Sequence, residues 1–147
     1  MANGLLTGGP VLPIVAVGRR GPPREEPVAR HVLLVEDEPN IAEAIRFILA
    51  RDGLRVSHLA EGTGVIERVG LDRPDLIILD HMLPGASGLE ILGALRADPA
   101  TAAIPVMILT ARGRDRAMAE RAGADRFMSK PFSNAEILAE VRAMLAR

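Results

Sequence analysis

From Arg30 onward, short apolar runs alternate with amphipathic stretches, and the alternation continues to the end of the chain. The runs are HVLLV at 31–35, LRVSHL at 54–59, DLIIL at 75–79, PVMIL at 105–109 and RFMS at 126–129. The first, third and fourth are apolar nearly throughout, the pattern of parallel strands covered on both faces. The second alternates instead, as an edge strand does. Between the runs, Ile41, Ile45, Ile48 and Leu49 share one face at helical spacing, as do Leu89, Leu92 and Leu95, and later Ile137, Leu138, Val141 and Leu145. Ser133 with Glu136 is a capping box opening the last of these helices. Weaker helical patterns cover 65–69 and 117–122. Five strands, each followed by a helix, predict an α/β fold: right-handed crossovers wind such a (βα)5 chain into a doubly wound three-layer sandwich around a five-stranded parallel sheet.

Residues 1–29 break the pattern. They hold five of the 11 Pro and five of the 14 Gly with no sustained period, which predicts a disordered or extended tail ahead of a domain at 30–147. The apolar stretch VLPIVAV at 11–17 is interrupted by Pro13 and falls far short of the roughly 20 residues that span a bilayer. No positive residue precedes it, so it does not read as a secretory leader.

Composition narrows the chemistry. A chain of 147 residues is one domain's worth, large enough to fold around a core without disulfides or structural metal. Cys is absent, which removes thiol nucleophiles, zinc–thiolate sites and disulfides, and suits a reducing cytoplasm. With 18 basic against 19 acidic residues the net charge is −1, so broad electrostatic binding of nucleic acid is not expected. The 18 basic residues are 17 Arg and a single Lys, Lys130. A compact ammonium and a planar guanidinium are not interchangeable at a tight site, so the exception calls for a reason.

In an open parallel sheet, ligands bind beyond the carboxyl ends of the strands. The residues there are Glu36-Asp37-Glu38 after the first run, Asp80 after the third, Thr110-Ala111 after the fourth and Lys130-Pro131 after the fifth. Singly, each has an ordinary explanation in helix capping or the helix dipole. Together they place several carboxylates, a hydroxyl and the only lysine on one rim. Two unit charges 4 Å apart repel by about 4 kcal/mol at an effective dielectric of 20, a cost that a hard divalent cation on oxygen ligands removes. Phosphoryl transfer needs a nucleophile, a metal and further donors on the transferring oxygens. Asp80 fits the nucleophile, since aspartyl phosphate is an established covalent intermediate, and Lys130 and Thr110 fit the donors.

The segments VLLVEDEP at 32–39, DLIILDHMLPGASGLE at 75–90, PVMILTA at 105–111 and GADRFMSKPF at 123–132 resemble the receiver domain of two-component response regulators. Their order and spacing, 43 residues from Asp37 to Asp80, 30 to Thr110 and 20 more to Lys130, make the resemblance specific over residues 30–147. It implies a flavodoxin-like strand order 2-1-3-4-5. It further implies that Asp80 accepts a phosphoryl group from a histidine kinase or histidine phosphotransfer protein. Mg2+, with Mn2+ as a substitute, would be held by Glu36, Asp37, Asp80 and the backbone carbonyl of Met82. Lys130 would pair with the phosphoryl oxygens, the Lys130–Pro131 peptide would be cis, and Thr110 and Phe127 would form the switch. The signalling surface of the fourth helix, fifth strand and fifth helix would include Arg114, Arg116, Arg121 and Arg126 and bind a downstream protein, from a monomer or a phosphorylation-dependent dimer.

The sequence also departs from that family's pattern. The stretch from Thr110 to Lys130 is about two residues short, within the region expected to switch. His81 follows Asp80 and reads as a bystander or a partner contact, since neighbours on a strand point oppositely. Met82 and Arg112 occupy positions that tune dephosphorylation in the family, and slow self-hydrolysis is expected. His31 and His58 read as structural or solvated. Since the sequence stops after the fifth helix, a stand-alone phosphorylatable receiver is the leading expectation, with a phosphate-independent interaction module as the alternative. A phosphohydrolase using Asp80 would need a general acid two residues on, where Met82 stands. A dinucleotide site would need glycines where the first strand is followed by EDEPN.

Overall fold

A computed structural model describes residues 29–146. The tail expected at 1–29 lies almost wholly outside the described residues. The elements run β1 (His31–Val35), α1 (Pro39–Arg51), β2 (Arg55–Leu59), α2 (Val65–Asp72), β3 (Leu76–Asp80), α3 (Gly88–Ala97), β4 (Val106–Thr110), a 3-10 turn (Gly113–Asp115), α4 (Arg116–Arg121), β5 (Arg126–Ser129) and α5 (Asn134–Leu145). The strands form one parallel sheet in the order β2-β1-β3-β4-β5. Fold class and strand order are those expected. The third and fourth strands sit one residue later than their apolar runs, so Asp80 and Thr110 are themselves the last residues of β3 and β4.

Side chains alternate across the pleat, so each central strand feeds two cores. Val32, Leu34, Ile78, Met107 and Leu109 pack with Ile45 and Leu49 of α1 and Ile137 and Val141 of α5. Leu33, Val35, Ile77, Leu79 and Ile108 pack with Val65 and Val69 of α2, Leu92 and Leu95 of α3 and Ala119 of α4. All five residues of β1, β3 and β4 are buried, which is why their sequences carry no alternation; β2 and β5 are the edges and are only partly covered. Each fully buried aliphatic side chain contributes on the order of 1.5–3 kcal/mol.

The helix starts are locally encoded. Ser133 accepts the Glu136 backbone N–H at 3.0 Å while Glu136 accepts that of Ser133 at 2.7 Å, the expected capping box. Ser87 and Glu90 repeat the arrangement at α3. Gly64 precedes α2 with φ of 84°, a left-handed conformation that a Cβ would strain. Other ties are long-range. Arg96 at the end of α3 donates from Nη1 to the carbonyls of Ala102 (3.0 Å) and Ile104 (2.8 Å), from Nε to that of Gly123 (3.0 Å), and from Nη2 to Asp125 (2.9 Å). One planar fork thus fixes the chain ahead of both β4 and β5. His31 and His58 are structural, their Nε2 atoms lying 2.8 Å from Ser57 Oγ and the Glu36 carbonyl, and burial holds the His31 imidazole below its usual pKa.

Candidate functional site

Four strand ends converge on one rim because the sheet is parallel and its strands run in register. Glu36, one residue past β1, is fully buried, and its backbone N–H donates to the Leu59 carbonyl at 3.0 Å. Its Oε2 accepts the Glu38 N–H at 3.0 Å, which turns the chain toward α1. Asp80 is 3% exposed, while Asp37 is open to solvent. Carboxylate oxygens from Glu36, Asp37 and Asp80 lie within 4.8 Å of one another. Lys130 Nζ stands 3.0 Å from Glu36 Oε1 and 3.2 Å from Asp80 Oδ2. The Lys130 N–H donates to the Thr110 carbonyl at 2.8 Å, continuing the β4–β5 ladder, and the Lys130–Pro131 peptide is cis.

Electrostatics favour a cation here. Burial and then the Glu36 charge push Asp80 up to about 7, only partly countered by Lys130. Burial opposes charge on Lys130, but the hydrogen bond to Glu36 and the charges of Asp80 and Glu36 outweigh it and raise its pKa. One ammonium serves two buried carboxylates, with the Asp37 carboxylate beside them. Glu36 Oε1 is fully buried with the Lys130 ammonium 3.0 Å away, and the three clustered carboxylates outnumber that one ammonium, an excess of negative charge that a hard cation on oxygen ligands would balance. The donor set therefore fits a hard divalent cation such as Mg2+, and Asp37 and Asp80 both line the cleft.

That cleft, about 520 Å3, is lined by Asp37, Glu38, Asp80, Met82, Ala111 and Lys130 among others. A groove of about 540 Å3 between α2 and α3 is lined mainly by Gly62, Gly64, Ile66, Ala86 and Ile91, so chemistry rather than size selects the carboxylate cleft. Gly88 lets the loop after β3 close: a Cβ there would sit 2.3 Å from the Asp80 carbonyl oxygen, and its N–H donates to the His81 carbonyl at 2.8 Å.

Thr110 is 1% exposed, but its hydroxyl is not engaged at the cleft. It accepts the Arg112 N–H at 3.1 Å and makes a long contact of 3.4 Å to Asp115 Oδ2. Phe127 is half-buried against the core, with the Arg116 guanidinium 5.1 Å from its ring centroid. Arg114 and Arg121 are exposed on the α4 side, whereas Arg126 pairs with Glu140 at 3.0 Å.

His81 is buried rather than presented to a partner. It is 7% exposed, and its Nδ1 lies 3.1 Å from Asp115 Oδ2. Sequence reasoning missed Asp115 altogether, because an Asp set among arginines in GRDR looks like a solvated helix start. The usable signal was His81, a histidine closing a buried run and therefore in need of a polar partner.

A model of the response regulator receiver domain matches residues 32–142. The chain belongs to the response regulator receiver domain family. It is 39% identical over 122 residues to the phosphate regulon transcriptional regulatory protein PhoB of Klebsiella pneumoniae, covering 82% of this chain and 53% of PhoB. It is 41% identical over 119 residues to the transcriptional regulatory protein CseB of Streptomyces coelicolor, covering 80% and 50%. The chain thus spans about half the length of these relatives. Among solved structures, the signal receiver domain of a signal transduction histidine kinase from Syntrophus aciditrophicus matches with a TM-score of 0.74 and 33% identity, covering 80% of this chain and 91% of that one. The BeF3-activated N-terminal receiver domain of Klebsiella pneumoniae RstA matches with a TM-score of 0.74 and 27% identity, covering 80% and 100%. Among the described residues, no helix is long and apolar enough to cross a membrane.

Proposed function

We propose that this receiver domain is a phosphoacceptor: an Asp80 carboxylate oxygen attacks the phosphorus of a phosphohistidine on a histidine kinase or histidine phosphotransfer protein. The new bond is an acyl phosphate on Asp80, and the P–N bond to the imidazole breaks. The convergence of Glu36, Asp37, Asp80 and Lys130 in one cleft is the observation that carries this reading. Bound Mg2+, or Mn2+ in its place, supplies charge neutralisation on the carboxylates and on the transferring oxygens. Asp37, Asp80 and the Met82 backbone carbonyl would hold it directly, with Glu36 behind them.

The residues divide the remaining work. Lys130 sits on the Asp80 oxygen in the resting state and passes to the phosphoryl oxygens once Asp80 is phosphorylated, so its charge remains paired throughout. Thr110 turns its hydroxyl toward the phosphoryl group, and Phe127 follows into the space left behind. The surface of α4, β5 and α5, including Arg114, Arg116 and Arg121, would then present a changed face to a downstream protein. A phosphoryl group of charge about −1.5 to −2 making one to three charge-assisted hydrogen bonds supplies part of the driving force. The relatives named as transcriptional regulators carry a further half that this chain does not span.

The test is intact-mass spectrometry after incubation with acetyl phosphate, with and without Mg2+, on wild type and Asp80→Asn. Gain of one phosphoryl group that requires both Mg2+ and Asp80 supports the reading. Absence of any adduct, with beryllofluoride also failing to bind the folded protein, overturns it.

A further inference from the structure

Asp115 occupies the residue before α4, where an Asp ordinarily caps the helix, yet its side chain makes no capping hydrogen bond. It is 5% exposed and turned inward. A single oxygen, Oδ2, receives His81 Nδ1 at 3.1 Å, Arg112 Nε at 3.3 Å and the Thr110 hydroxyl at 3.4 Å. The ionised carboxylate only accepts, so the imidazole proton lies on Nδ1 and the hydroxyl proton points at Asp115. Burial works against that charge, but Arg112 and then His81 outweigh it and hold the carboxyl below its usual pKa.

We propose that Asp115 is a positioning residue that detains the Thr110 hydroxyl in the resting state, in competition with the phosphoryl group that forms on Asp80. This rests on the phosphoacceptor reading above. The contact is built to be released. At 3.4 Å it is the longest of the three, beyond the usual range for O–H···O, so the hydroxyl is held weakly. When Thr110 leaves, His81 and Arg112 still satisfy Asp115, and no buried charge is abandoned. Because His81 is the residue after Asp80, the same carboxylate also ties the end of β3 to the start of α4. The hydroxyl and the α4 start are thus held by one group.

The experiment measures the half-saturating beryllofluoride concentration in Mg2+ by amide NMR, on wild type, Asp115→Asn, His81→Leu and each variant in a Thr110→Val background. Asp115→Asn weakens the detaining contact and lowers that concentration roughly two- to tenfold. His81→Leu removes a competing donor, leaves Asp115 more dependent on Thr110, and raises it. Both shifts vanish in the Thr110→Val background, which a merely structural role for Asp115 would not produce. If Asp115→Asn does not fold, the His81→Leu pair decides alone. Unchanged concentrations, or shifts that persist in Thr110→Val, overturn the proposal while the phosphoacceptor reading stands. Failure of wild type itself to bind beryllofluoride overturns that reading instead.

Discussion

Lys130 Nζ stands 3.2 Å from Asp80 Oδ2, although the two residues close strands β5 and β3 with β4 lying between them. The lysine reaches across the rim to neutralise a carboxylate held in a buried position, and it shares itself with Glu36. Arg would present a planar fork there rather than a compact point charge, which accounts for a lone Lys in a chain otherwise supplied with Arg.

Lys130→Met should leave two buried carboxylates without their cation. Removing one partner of a buried ion pair costs about 3 kcal/mol or more. Urea unfolding at pH 8 without divalent metal should show that loss, and added Mg2+ should recover part of it.

Asp80 carries a pH signature. In the folded protein its pKa is about 7, raised by burial and by Glu36, against 3.8 as the ordinary value. The folded state therefore binds this proton more tightly than the unfolded chain, and stability falls as pH rises from about 4 to about 7 and levels off above. Asp80→Asn should remove that slope and, at pH 8 without metal, stabilise the protein by on the order of 2–4 kcal/mol. Thermal denaturation across that pH range checks both the sign and the size.

Mg2+ favours ionised carboxylates, so its effect should run the opposite way. The rise in Tm on adding Mg2+ should be larger at pH 8 than at pH 6, and chelation should abolish it. Asp37→Ala should weaken this rise at both pH values. Calorimetry with and without EDTA measures it.

Gly88→Ala places a methyl group 2.3 Å from the Asp80 carbonyl oxygen and 3.0 Å from the His81 Cα, both backbone atoms. The strand end must shift to admit it, at roughly 1–3 kcal/mol for overpacking. Denaturant unfolding should show the loss, and phosphorylation of Asp80 by acetyl phosphate should slow, since the displaced atoms carry the acceptor.

Arg96→Lys keeps the charge but loses the fork that serves three carbonyls and Asp125. A loss of about 2 kcal/mol is expected from carbonyls left without their donor. Hydrogen exchange should show loosening concentrated where the chain enters β4 and β5.

The sequence by itself determined the five strands, their helices and the polar residues on the carboxyl rim of the sheet. Each of those is written in local terms: apolar runs of strand length, helical periodicity, the capping box at Ser133, and polar residues closing each run. A parallel sheet gathers its strand ends on one side whatever the details, so Glu36, Asp37, Asp80 and Lys130 could be brought together before any coordinates were considered. Only the tertiary structure decided what those groups do to one another. The raised pKa of Asp80 depends on burial beside Glu36, the fork of Arg96 spans up to 29 residues of sequence, and Asp115 meets His81 across 34. Such pairings leave no period or spacing in the chain, because they arise from where separate elements pack rather than from how any one of them folds.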